Sequence, residues 1–252
     1  MIVFSPRNTF LEKRNMYILR GLCMISIILH HIHTTIDLSL GSSFLVKVLN
    51  SQGYLSTGVF FLLSGYGLTI SINNHKPLKL NYLYQKLWTI FSTFLFAYLV
   101  SYIGFTISGV EISLTDIIKD ICTLTIPFNT TWFLKVIFFV YLVYITLHYC
   151  FESKKALIYF TVLLCVFWVI AKVYLPIMYN TSVLNFALGM FLVYYKDYIS
   201  SKRYLALLIT IILFIIFQIL DLQPLISLSY SIIVIILFSY INSIKNLLAE
   251  LI

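Results

Sequence analysis

Eight long apolar stretches, separated by short polar ones, set the pattern of this chain. Each is close to the roughly 20 residues that a helix needs to cross a bilayer. They predict membrane helices over 18–36, 53–72, 83–107, 132–150, 156–174, 182–196, 204–220 and 225–243. The sixth is the shortest. The expected fold is all-α: a polytopic integral membrane bundle of about eight transmembrane helices, forming a single domain over 1–252. No soluble domain is expected, because the longest connection, 108–131, is too short to bury a core of its own.

Composition turns this pattern into a membrane assignment. Charged residues make up 10% of the chain and the mean hydropathy is +0.97. A soluble domain of this length would need about a quarter of its residues charged. The net charge of +8 does not indicate a nucleic-acid partner, because the basic residues recur in short runs between apolar segments.

Those runs alternate. Arg7, Lys13, Arg14 and Arg20 precede the first helix, and Lys76, Lys79 and Lys86 fall around the second connection. Lys154 and Lys155 follow the fourth helix, Lys196, Lys202 and Arg203 the sixth, and Lys245 the eighth. The intervening connections are poor in lysine and arginine, which places both termini in the cytoplasm. The first apolar run begins after Arg20 and no small-residue cleavage site follows it, so it reads as a retained helix. Cys23, Cys122, Cys150 and Cys165 form no CxxC pair and imply no disulfide framework. Four buried thiols are expected, as free cysteine usually behaves.

The first helix, RGLCMISIILHHIH, carries the candidate chemistry. Arg20 and His31 are eleven residues apart, roughly 20° past three full turns, so they share a face about 16 Å apart along the axis. His30 lies about 80° from Arg20. Arginine at a helix end is commonly a snorkelling anchor, and a membrane histidine can be a packing hydrogen bond. Three histidines in four positions point further, because an intramembrane ionisable residue is costly and imidazole can act as a general base near neutral pH. A rival stripe exists in His30, His33 and Asp37, spaced as metal ligands on one helix face. The set is small and short, and no metal is assigned.

Two further segments stand out. In TGVFFLLSGYGLTIS, Gly58 and Gly65 share a face and predict close approach of a neighbouring helix, with the first helix as candidate; Ser64 lies beside them. Trp132 opens the fourth predicted helix as an interfacial aromatic, and Lys135 is expected to snorkel to the same interface.

Together these segments resemble the membrane acyltransferase-3 family, which includes O-antigen and exopolysaccharide O-acetyltransferases. Its basic residue, ten intervening residues and histidine correspond to Arg20 and His31. GVFFLLSGYGL is similar to its V-FF-LSGF segment, with Tyr66 at the usual phenylalanine, WFLKVIFFVYL to its W-(F/Y)-L segment, and NFALGMFL to a later apolar-glycine segment. In the third helix the family usually carries Arg-x-x-Arg followed by proline; here Lys86, Thr89 and Ser92 take those positions. Relatives usually have about ten spans, and this sequence stops near the start of their closing region.

The resemblance implies an enzyme that transfers an acyl group, chiefly acetyl, from acyl-CoA to a sugar hydroxyl of an envelope or exported polysaccharide. His31 would be catalytic, Arg20 would assist at the donor end, and Lys86 would help bind the donor. Acyl-CoA (acetyl-CoA) is the implied co-substrate, with no bound cofactor; the acceptor would be a glycan or lipid-linked sugar. The bacterial inner membrane is the implied location, and a membrane partner could supply missing helices. The alternative is a non-catalytic protein: a sugar or lipid-intermediate transporter, or a truncated inactive member.

Overall fold

The computed structural model describes residue 11 and residues 13–36, 44–75, 79–126, 132–174 and 182–250. Among these residues it contains nine helices and no strand. They are α1 (Lys13–Ile36), α2 (Phe44–Asn74), α3 (Leu80–Ile107), α4 (Leu114–Thr123), α5 (Trp132–Cys150), α6 (Ser153–Tyr174), α7 (Leu184–Ser201), α8 (Arg203–Ile219) and α9 (Gln223–Glu250). All eight apolar stretches are helical, as the run lengths predict, and the chain is a polytopic all-helical membrane protein.

Six described helices are long and apolar enough to cross a membrane alone: α1, α2, α3, α5, α6 and the Gln223–Tyr240 part of α9. α7 and α8 meet that test only as a pair, and they bend by 113° where they join, so the described residues offer six spans, or up to seven if the pair counts as one, where run length predicts about eight. The bend falls beside Lys202 and Arg203. Lys202 Nζ lies 5.0 Å from the Tyr198 ring centre, and the Arg203 guanidinium lies 4.5 Å from that of Tyr240. Two adjacent cations are costly in hydrocarbon, so this corner suits the interface.

α4 is an element that apolar run length does not predict. Ser113 caps it by accepting a hydrogen bond from the Asp116 N–H, and Asp116 adds negative charge to the first turn. Ile117 and Ile121 pack against the Phe94, Tyr98 and Ile126 cluster, while Leu114 and Ile118 stay exposed. At ten residues it is too short to span.

The chain divides into two compact units. One comprises Met1–Ile70 with Asn180–Ile252, and the other Ser71–Tyr179. In the first, Leu19 and Cys23 of α1 join Val59, Leu62, Leu63 and Tyr66 of α2, with Leu192 of α7 and Ile235 and Ile236 of α9, in one buried cluster. In the second, α5 packs against both α3 and α6. The Tyr144 ring there meets His148 edge-on and Phe160 at a tilt, with centres 4.3 and 4.7 Å away.

The first unit is tied by glycine. A Cβ on Gly65 would overlap the Phe186 carbonyl, and one on Gly189 would overlap the Leu62 carbonyl. α2 and α7 therefore cross backbone against backbone, which matters where lipid offers no hydrophobic force to drive helices together. Gly58 makes room for Ser227 and Asn185. The Gly58 and Gly65 face thus receives α7 and α9, which corrects the expectation that it receives the first helix. Periodicity identifies a face but not its neighbour.

The cysteines also depart from expectation. Cys23 is buried, but Cys122, Cys150 and Cys165 are exposed. In a membrane protein the outer surface is as apolar as the core, so an apolar run does not imply burial.

Candidate active site

α1 runs unbroken from Lys13 to Ile36, so the helical register between Arg20 and His31 is maintained. The stripe it turns inward is Asn15, Leu19, Cys23, Ser26, His30 and His33, all buried or half-buried. A second stripe, Ile18, Leu22, Ile25, Leu29 and Ile32, is exposed and apolar. The sequence thus makes α1 one-sided, with His30 and His33 near the end of the inward stripe.

Arg20 is half-buried and reaches across to α2. Its Nη2 donates to the Leu63 carbonyl oxygen at 3.3 Å. That oxygen is also the normal helical acceptor for the Gly67 N–H. Gly67 leaves the guanidinium room: a Cβ there would lie 3.6 Å from Nη2, in ordinary contact. One arginine donor is used on a carbonyl, and guanidinium has five.

The three histidines have different surroundings. His30 lies on Gly53, where a Cβ would overlap the imidazole. Its ring meets that of His31 edge-on, with centres 5.4 Å apart. His31 is exposed on the α1 surface. His33 is buried, and its Nδ1 has no hydrogen-bond partner among the described residues. Between Arg20 and the histidines, Ser26 donates to Gln52 Oε1 at 3.1 Å.

α2 therefore presents two glycine faces. Gly53 and Gly67, fourteen residues apart, lie about 40° from one another and meet His30 and Arg20 of α1. Gly58 and Gly65, offset by about 140° from Gly53, receive α9 and α7. The sequence reading found the second pair and missed the first, whose signal was its fourteen-residue spacing. Ser64 is buried beside Gly65. Asn185 was also missed: fully buried, it donates to Ser227 Oγ at 2.9 Å, the sort of interhelical bond that holds membrane bundles together.

Lys86 and Trp132 belong to the second unit. Lys86 is half-buried, with Nζ 5.3 Å from the centre of the Tyr82 ring. Thr89 and Ser92 hydrogen-bond back to their own helix, at Gln85 O and Thr89 O. Trp132 is the half-buried first residue of α5. Asp37, the third member of the rival metal stripe, lies outside the described residues. Among the described residues no three histidine, cysteine, aspartate or glutamate side chains converge as a metal site.

The pairing of a seated arginine with a histidine three turns further along one helix is the arrangement to set against known families. The family model described as an acyltransferase domain (Acyl_transf_3) matches residues 14–245. The chain belongs to the membrane acyltransferase-3 family. No curated protein and no solved structure matches it. The match spans all nine helices but for Lys13 of α1 and the last residues of α9, so it takes in the second unit and most of the first.

Proposed function

We propose that this acyltransferase-3 member transfers an acyl group, in the simplest case acetyl, from acyl-CoA to a sugar hydroxyl of a cell-envelope or exported polysaccharide. The observation that carries the reading is the unbroken α1 helix. It bears Arg20, anchored on α2 and retaining donors for an anion, and His31, accessible about 16 Å along the axis.

In this reading Arg20 meets phosphate of the CoA donor, and the donor-binding role of Lys86 rests on the family resemblance alone. Guanidinium suits phosphate because its donors form a planar fork. Neutral His31 takes the proton from the acceptor hydroxyl as that oxygen attacks the thioester carbonyl. The C–O bond forms, the C–S bond breaks, and the imidazolium returns the proton to the departing thiolate. Thr89, in place of the family's second arginine, is bonded into its own helix and adds no charge.

The same reading places the protein in a bacterial inner membrane with both termini cytoplasmic, the donor on the cytoplasmic side and the acceptor beyond it. Mass spectrometry of envelope glycan from a deletion strain tests it. Loss of an acyl mass, restored by the wild-type gene, is expected. An unchanged glycan would favour a non-catalytic role.

A further inference from the structure

The second unit contains an apolar groove that the proposed chemistry does not use. This groove of about 200 Å³ runs between α5 and α6, lined among others by Phe139, Val143, Phe160, Leu163 and Phe167. The two helices are joined by a tight link at Phe151 and Glu152, so they run antiparallel. The groove extends from Lys135 to Val143, about 12 Å along α5. One leaflet of hydrocarbon is about 15 Å deep, half of the roughly 30 Å core. The groove thus covers most of one leaflet, and it is too narrow for a helix of about 10 Å diameter.

One end of the groove is polar. Lys135, in the first turn of α5, lines it with its stem, and its Nζ donates to Thr125 Oγ1 at 2.8 Å. Thr125 Oγ1 is also 2.8 Å from Thr123 Oγ1, which donates to Lys119 O, and the Thr125 N–H is bonded to Asp120 O, so the hydroxyl protons are used within this turn and it holds Lys135 in place. Asp120 itself accepts from the Tyr98 hydroxyl and, among the described residues, makes no ion pair with Lys135. An ammonium has three donors, and a hydroxyl accounts for one without neutralising the charge.

An apolar slot about one leaflet deep, with a cation at one end that makes no ion pair among the described residues, is complementary to an anionic amphiphile. We propose that the α5–α6 groove seats one acyl chain of an anionic phospholipid, with its phosphate against the Lys135 ammonium. Here, phosphate contact with a charged donor favours the anionic lipid by about tenfold.

The full-length protein can be exchanged into nanodiscs of equal phosphatidylglycerol and phosphatidylcholine with identical chains, and the lipid that remains bound read by native mass spectrometry. Wild type is expected to retain phosphatidylglycerol about tenfold over phosphatidylcholine. Lys135→Ala should lose the preference, and Lys135→Arg should keep it. Val143→Trp, which fills the slot, should lose bound lipid of both kinds. Equal retention of the two lipids by wild type, or an undiminished preference in Lys135→Ala, would overturn the proposal. So would displacement of phosphatidylglycerol by a prenyl phosphate at lower concentration, which would make the occupant a prenyl lipid. The Lys135 variants alter a half-buried rim position, so they decide the question even if Val143→Trp does not fold.

Discussion

Arg20 of α1 is held against the Leu63 carbonyl of α2, over a glycine that leaves it room. The cation is therefore placed by two helices rather than left to snorkel. If it meets a donor phosphate, Arg20→Ala should raise the KM for acyl-CoA at least tenfold, the equivalent of losing about 1.5–3 kcal/mol from a charged hydrogen bond. Arg20→Lys should recover part of that, because ammonium keeps the charge but not the fork. Titration of membranes with acyl-CoA checks this, and unchanged donor affinity in Arg20→Ala would remove the role.

The two glycine faces of α2 predict opposite responses to one methyl group. Gly65→Ala drives a Cβ into the Phe186 carbonyl, which cannot yield without moving α7. It should destabilise the protein by about 1–3 kcal/mol, as overpacking does. Gly67→Ala places its Cβ at contact distance from Arg20 and should leave stability near wild type. Thermal unfolding in one detergent compares them directly. Equal melting of Gly65→Ala and wild type would mean that α2 and α7 do not cross backbone to backbone.

Much of this was legible from run length and charge, and what was not has physical causes. The six helices that can span alone are visible because spanning fixes their length, and α7 and α8, which reach it only together, are visible as apolar runs. α4 is invisible to that criterion, although the Ser113 and Asp116 cap and the isoleucines at 117 and 121 mark it. Gly58 and Gly65 could be recognised as a packing face, but a helix seen alone does not reveal whether α1 or α7 fills it. Arg20 and His31 could be paired from geometry and resemblance. The inward position of His30 and His33, and the exposure of His31, depend on which side of α1 meets α2.

The Asn185 amide and Ser227 hydroxyl should be energetically coupled. Asn185→Ala, Ser227→Ala and the double variant form a cycle in which the coupling is about 0.6–2 kcal/mol, as for hydrogen bonds between membrane helices. Strict additivity of the two losses would show that the bond contributes nothing.

Reporter fusions check the proposed topology. Positions at Asp37, Lys79, Asp116 and Lys154 should read outside, inside, outside and inside, following the lysine and arginine asymmetry. A cytoplasmic signal at Asp116 would reverse the assignment of the α4 segment.

The most direct test of the proposed chemistry is acylated glycan in cells carrying His30→Ala, His31→Ala or His33→Ala at matched protein levels in the membrane. His30 packs on Gly53 and His33 is buried, so matching levels separates lost stability from lost chemistry. With His31 as the general base, His31→Ala should lower acylation by about 10²–10⁴-fold while inserting normally, and the other two should retain most of it. Full acylation in His31→Ala, or a joint need for His30, His33 and added metal, would contradict the account.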